Sequence, residues 1–330
     1  MNRLVERGRL RGARCLACEA EGVATHGAVP AMRNALEVPT ASASQARQRS
    51  TEPTPFSTMK TWIRDSRNFA YLTWQEVDRL PRDRTLLVLP TAAIEQHGHH
   101  LPLATDTLIN NFVLGHALQL LPETLPVYAL PPVCYGKSNE HIGYPGTLAL
   151  SARTFMDTIH DLGASIASAG FQKLVLYNTH GGNISCVDVM TRDLRAEFGL
   201  RTFYLSGSGG AMLDLDPQEK AYGFHAGELE TSLLLAAWPE LVHPDRYTVN
   251  YIAKVNDPHV LTPEGGPANF AWLTRDIAPS GVMGDPTPAS AEKGARWLEQ
   301  MAVAVAKALT AMVEYSGARL ACEADDEKSK

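Results

Sequence analysis

The segment Glu95-Gln96-His97-Gly98-His99-His100-Leu101-Pro102-Leu103-Ala104-Thr105-Asp106 places two carboxylates and three imidazoles within twelve residues. It follows the apolar, strand-like run Thr85-Leu86-Leu87-Val88-Leu89-Pro90. In an extended chain, residues i and i+2 share a face about 7 Å apart, so Glu95 and His97 can aim at one point. Asp106 opens the next helical pattern, and its carboxylate can return to that point from a helix N-terminus. Carboxylate and imidazole ligands together suit Zn or Mn. Acidic and histidine residues at a strand end are also often merely solvated, so the reading depends on what else the chain brings to them.

Two later stretches have the matching chemistry. Lys173-Leu174-Val175-Leu176-Tyr177 reads as a short buried strand ending in Asn178-Thr179-His180-Gly181-Gly182-Asn183. In open α/β sheets, sites lie at the carboxyl ends of strands, where His180, Glu95 and His97 all fall. The glycine turn lacks both the Gly-x-Gly-x-x-Gly pattern and a phosphate-gripping lysine, which counts against nucleotide binding. His225-Ala226-Gly227-Glu228-Leu229-Glu230 then leads into an apolar helix. Complementing the helix dipole explains one of Glu228 and Glu230, but not His225 before them.

The elements that must position these residues follow from periodicity. A capped short helix is expected at Thr73–Val77, with Glu76 at the capping-box position. A helix over Thr105–Leu120 puts Ile109, Phe112, Val113, His116 and Leu120 on one stripe, with His116 a packed core residue. Strands are expected at Val127–Leu130 and Leu200–Leu205, and helices after Ser151, after Asn183 and over Ala291–Tyr315. This order implies one α/β domain, residues 59–318, with a mainly parallel sheet. Residues 1–58 have weak hydrophobic periodicity and read as a disordered leader. An arginine-rich leader is compatible with a transit segment, but Glu6, Glu19, Glu21 and Glu37 favour an upstream start codon, with the folded chain beginning near Met59. Residues 319–330 read as a charged, frayed tail.

A net charge of −6 argues against a nucleic-acid partner, and no apolar run reaches the roughly 20 residues of a membrane span. Five scattered cysteines, Cys15, Cys18, Cys134, Cys186 and Cys322, point to a reduced, cytoplasmic protein rather than a disulfide framework.

Taken together, EQHGHHLPLATD (95–106), EHIGYPGT (140–147), NTHGGN (178–183), HAGELETS (225–232) and the weaker GDPTPASAEKG (284–294) resemble the creatininase (creatinine amidohydrolase) family over about residues 60–315. The resemblance implies a three-layer α/β/α sandwich, a homohexamer, and a two-metal site (Zn or Mn, with Fe also suitable) that hydrolyses amide-type C–N bonds of a small-molecule substrate. It assigns Glu95 and His180 to one metal, His97 to the other, Asp106 as the bridge and His225 as the catalytic histidine. His141 and Tyr144 are expected in the substrate wall. One position departs from the pattern. Where creatininase itself has a metal-binding glutamate two residues after the histidine matching His180, this chain has Gly182. The expected replacement is Glu228, as in the branch containing formamidopyrimidine-ribotide deformylases and the mycofactocin-precursor peptidase. Phe224 stands where creatininase has a glutamate, which counts against creatinine as substrate. Formamides, cyclic amides, short peptides and cyclic ketones or lactones all stay open, as does a non-catalytic metal-binding or assembly homologue.

Overall fold

The computed structural model describes residues 63–252, 261–263 and 267–317. The expected leader, residues 1–58, and the expected tail, 319–330, lie outside the described residues.

Four strands form the central sheet: β1 (Leu86–Thr91), β2 (Val127–Ala129), β3 (Lys173–Asn178) and β4 (Arg201–Ser206). Their order is β2-β1-β3-β4, and every pairing is parallel. The two central strands are buried along their whole length, which explains the apolar runs Leu86–Leu89 and Leu174–Tyr177 within them. Strand alternation sorts that sequence into two cores. Leu86, Val88, Val175 and Tyr177 face α2 (Thr105–Leu120), α6 (Glu228–Ala237) and α8 (Ala291–Glu314). Leu87, Leu89, Leu174 and Leu176 face α3 (Ala152–Ser168) and α4 (Ile184–Phe198). The result is the expected α/β/α sandwich.

The smaller elements follow local chemistry. Thr73 caps α1 (Trp74–Asp78) through a complete capping box with Glu76. Asp216 caps α5 (Pro217–Tyr222), whose first residue is a proline that has no N–H to lose. The short α7 (Thr274–Ile277) follows a two-residue pair, β5 (Leu261–Thr262) and β6 (Ala268–Asn269). His116 is half-buried, its ring 5.2 Å from that of Phe112. Leu120 is not on the buried stripe: the last turn of α2 leaves it 56% exposed, and Leu121 turns into the core instead.

This topology positions the site. β1 and β3 are adjacent and parallel, so Thr91 and Asn178 stand side by side at their carboxyl ends. The loops carrying Glu95–His97 and His180 therefore leave the sheet together.

Candidate metal centre

After β1 the chain turns sharply at Gly98, whose φ is +65° and where a Cβ would meet Val282 Cγ2 at 2.4 Å. A residue with a side chain would be strained there. The turn returns the chain to α2, where Asp106 lies in the first helical turn. Glu95, His97, Asp106 and His180 are all buried.

Each site histidine has one ring nitrogen tied to a backbone carbonyl. His97 Nδ1 donates to Glu95 O at 3.1 Å, and His180 Nε2 donates to Lys137 O at 3.1 Å. His225 Nε2 donates to Gln96 O at 2.7 Å. These bonds select the tautomer and leave the other nitrogen's lone pair facing the centre, the arrangement found around metal-bound histidines.

The facing atoms form two sets that share one residue. His180 Nδ1 lies 3.3 Å from Glu95 Oε1 and 3.2 Å from Asp106 Oδ2. His97 Nε2 lies 3.4 Å from Asp106 Oδ1 and 3.8 Å from Glu230 Oε2. Asp106 thus turns one oxygen to each set. Glu95, Asp106 and His180 form one group with cation-holding spacing, and His97, Asp106 and Glu230 form another. Glu95, His97 and His225 form a third. Glu95 Oε1, His97 Nε2 and Asp106 Oδ2 are buried without a hydrogen bond. Orphaned polar atoms of this kind are costly in a protein interior. A mixed oxygen and nitrogen set converging on one point fits divalent cations.

The electrostatics agree. Burial alone would lower the His97 pKa, but the carboxylates of Asp106, Glu230 and Glu95 raise it to about 10. His180 is raised by Glu95 and Asp106 against the same burial. Burial would raise the Asp106 carboxyl, yet His97 and His180 hold it well below the usual carboxylate range. So much opposed charge in a buried space means protons occupy positions that cations can take. His225 behaves differently: burial, then His97, lowers it to about 4, so it is neutral at pH 7.

Five of the expected residues converge: Glu95, His97, Asp106, His180 and His225. Glu228 does not. Its carboxylate turns away and pairs with Lys293 Nζ of α8, while Glu230 occupies the expected place. The two are the first and third residues of α6. At 100° per residue they point about 200° apart, so only one can face the centre. Glu230 is the one because its Oε2 accepts the Ala226 N–H at 2.7 Å. That bond holds Ala226 at φ +55°, the only positive φ outside glycine among the described residues. With glycine at the N-cap there is no capping box to mark Glu230 in the sequence.

His141 lies at the centre's edge, its Nε2 3.4 Å from Glu95 Oε1. Its Nδ1 is within 2.8 Å of both Gln96 Nε2 and Thr274 Oγ1, and burial lowers its pKa strongly. Tyr144 is anchored to its surroundings, with its hydroxyl donating to Ala278 O at 3.1 Å. Gln96 and Ser138 were missed. The Gln96 amide also reaches Gly281 O at 3.0 Å, and the Ser138 hydroxyl donates to Glu95 Oε2. At Gly182, a Cβ would meet Glu140 Oε1 at 2.0 Å. The space of the missing side chain is thus filled by Glu140, which pairs with Lys137 at 2.9 Å.

Fold and site define a three-layer α/β protein whose strand ends gather a carboxylate–histidine centre. The profile of the creatininase family (creatinine amidohydrolase) matches residues 70–309. The mycofactocin precursor peptide peptidase of Mycobacterium ulcerans (strain Agy99) is 34% identical over 229 residues, 68% of this chain and 84% of its own length. The creatinine amidohydrolase of Pseudomonas putida is 32% identical over 258 residues, 72% of this chain and 94% of its own. A solved structure described as creatininase Mn superposes with a TM-score of 0.55 at 28% identity, over 74% of this chain and 97% of that one. A mutant creatininase of Zn-Zn type gives the same score and identity over 73% and 96%. The chain belongs to the creatininase family and is a hydrolase.

Proposed function

We propose that the protein is a metal-dependent hydrolase of amide-type C–N bonds holding two divalent cations, one at Glu95, Asp106 and His180 and one at His97, Asp106 and Glu230. The observation that carries this reading is the Asp106 carboxylate, one oxygen toward His97 and the other toward His180. Glu230 replaces the expected Glu228. Zinc and manganese are the first candidates, given the Zn-Zn and Mn forms of the related creatininase structures.

Cations held by Glu95, His97, Asp106, His180 and Glu230 would supply Lewis acidity and make water at the centre more acidic. The chain's own residues do the rest. Gln96 O holds the His225 Nε2–H, which leaves Nδ1 free to accept a proton from water and pass it to the leaving nitrogen. Its lowered pKa keeps that nitrogen unprotonated at neutral pH. His141 and Gln96 pack against His225, the two imidazole rings 4.3 Å apart, and orient it.

The relatives are named a peptidase and an amidohydrolase, so short peptides stand beside formamides and cyclic amides as substrates. A homo-oligomer and a cytoplasmic location belong to the same proposal. Among the described residues no helix is long and apolar enough to cross a membrane.

The test is chelation, followed by titration of Zn or Mn with elemental analysis, then assays on creatinine, N-formyl amino acids and short peptides. Two cations per chain and metal-dependent turnover are expected. A chain that binds no cation overturns the reading.

A further inference from the structure

A cleft of about 230 Å³ opens beside the centre and is not used by any residue role given above. His180 and Glu230, one from each cation set, form part of its wall. The remainder is mostly apolar: Ile109, Leu233 and Met301 make a buried floor, while Leu229, Ile184 and Tyr204 stand around it. Ile184 is 47% exposed and Tyr204 37%, so two large side chains at the mouth are only partly covered. Gly181 widens the opening, since a Cβ there would meet nothing within 4 Å. An apolar cavity of about 150 Å³ is known to take up benzene, so this space is large enough for a branched aliphatic group or an aromatic ring.

We infer that the cleft is the substrate's acyl-side subsite and takes an apolar substituent, branched aliphatic or aromatic, on the carbonyl carbon. This rests on the hydrolase reading above. The side follows from position. His225, which serves the leaving nitrogen, lies against Gln96 and His141 and is not part of the cleft wall. His225 Nδ1 and His180 Nδ1 lie 3.7 and 3.3 Å from the same Glu95 Oε1, and only His180 borders the cleft, so with nitrogen at His225 the other substituent on carbon has the His180 and Glu230 side open to it. Water at the apolar wall is released when that substituent enters, at roughly 25 cal/mol for each Å² covered.

Hydroxamic acids test this by binding alone, because the hydroxamate chelates the cations and its acyl group projects as a substrate's would. Acetohydroxamate, isovalerohydroxamate and phenylacetohydroxamate are titrated calorimetrically into the zinc-loaded full chain, with its metal content measured. Affinity is expected to rise along the series, by about tenfold or more from acetyl to phenylacetyl. Ile184→Trp, at a half-exposed position, narrows the mouth, and Tyr204→Ala removes one wall. Each is expected to bring the phenylacetyl-to-acetyl ratio close to one. Tight acetohydroxamate binding with a flat series, or a ratio that both variants leave unchanged, overturns the subsite and leaves the metal reading standing. Absence of metal together with absence of all hydroxamate binding overturns both.

Discussion

Glu230 Oε2 lies 3.8 Å from His97 Nε2, on the face of α6 opposite to Glu228, whose carboxylate is taken by Lys293. The two glutamates therefore have separable roles. Glu230→Ala is expected to lose one of two cations and at least a hundredfold in turnover. Glu228→Ala is expected to keep both cations and to destabilise the fold by about 1–3 kcal/mol, because the half-buried Lys293 ammonium loses its partner. Elemental analysis and denaturant unfolding of the two variants decide it. Loss of a cation from Glu228→Ala with none from Glu230→Ala would restore the original expectation.

Asp106 is shared, so its loss cannot be local. Asp106→Ala should empty both positions and abolish turnover, whereas Glu95→Ala should empty mainly the Glu95–His180 position. Metal content per chain separates them. A fully loaded, active Asp106→Ala protein is incompatible with the shared-carboxylate arrangement.

His225 sits in a third candidate cation group with Glu95 and His97, so its role can be put to a direct choice. As a proton carrier, His225→Ala keeps both cations and loses about 10²–10⁴-fold in kcat. If the variant instead binds one cation fewer, His225 is a ligand.

The raised His97 pKa gives cation uptake a sign. Without cations, His97, raised to about 10, and His180, also raised, carry protons at pH 7. Uptake must expel them, so affinity for Mn should rise with pH across the range from 6 to 8, with net proton release. Titration calorimetry in two buffers of different ionisation enthalpy reads that release. For the cation-free fold the sign is opposite. The raised His97 contributes stability fully present below its unfolded value near 6.5 and lost as pH rises through about 10. A cation-free melting temperature that climbs steadily from pH 7 to 10 would contradict this.

Glu219, buried in α5, accepts the Glu228 N–H at 2.8 Å, the Asp285 N–H at 3.0 Å and the Tyr251 hydroxyl at 2.9 Å. It joins the start of α6 to the 284 loop and so fixes the segment bearing His225 and Glu230. A Cβ at Gly227 would meet its Oε1 at 1.8 Å, which accounts for glycine there. Glu219→Ala should lower both stability and cation affinity, and Glu219→Gln, which keeps one acceptor oxygen but turns an NH2 donor toward the donors of the other, should recover only part of each. Full stability and cation affinity in Glu219→Ala would show that the carboxylate does not position the segment.

Local patterns in the sequence determined a good deal. The apolar runs at 86–89 and 174–177 identified central parallel strands, because strands covered on both faces read as continuous apolar runs. Periodicity set α2 to its observed ends, Thr105 and Leu120. Glu95, His97, Asp106 and His180 were legible because strand ends and a helix start are local features that fix where side chains emerge. Which of Glu228 and Glu230 faces the centre is a matter of tertiary structure alone. Both are acidic first-turn residues, and the choice depends on the rotation of α6 about its axis. That rotation is set by contacts distant in sequence: Glu219 on its first N–H, Lys293 on Glu228, and its packing against α8. The apolar cleft is likewise built from α2, α4, α6, α8 and the end of β4, segments that no stretch of sequence brings together.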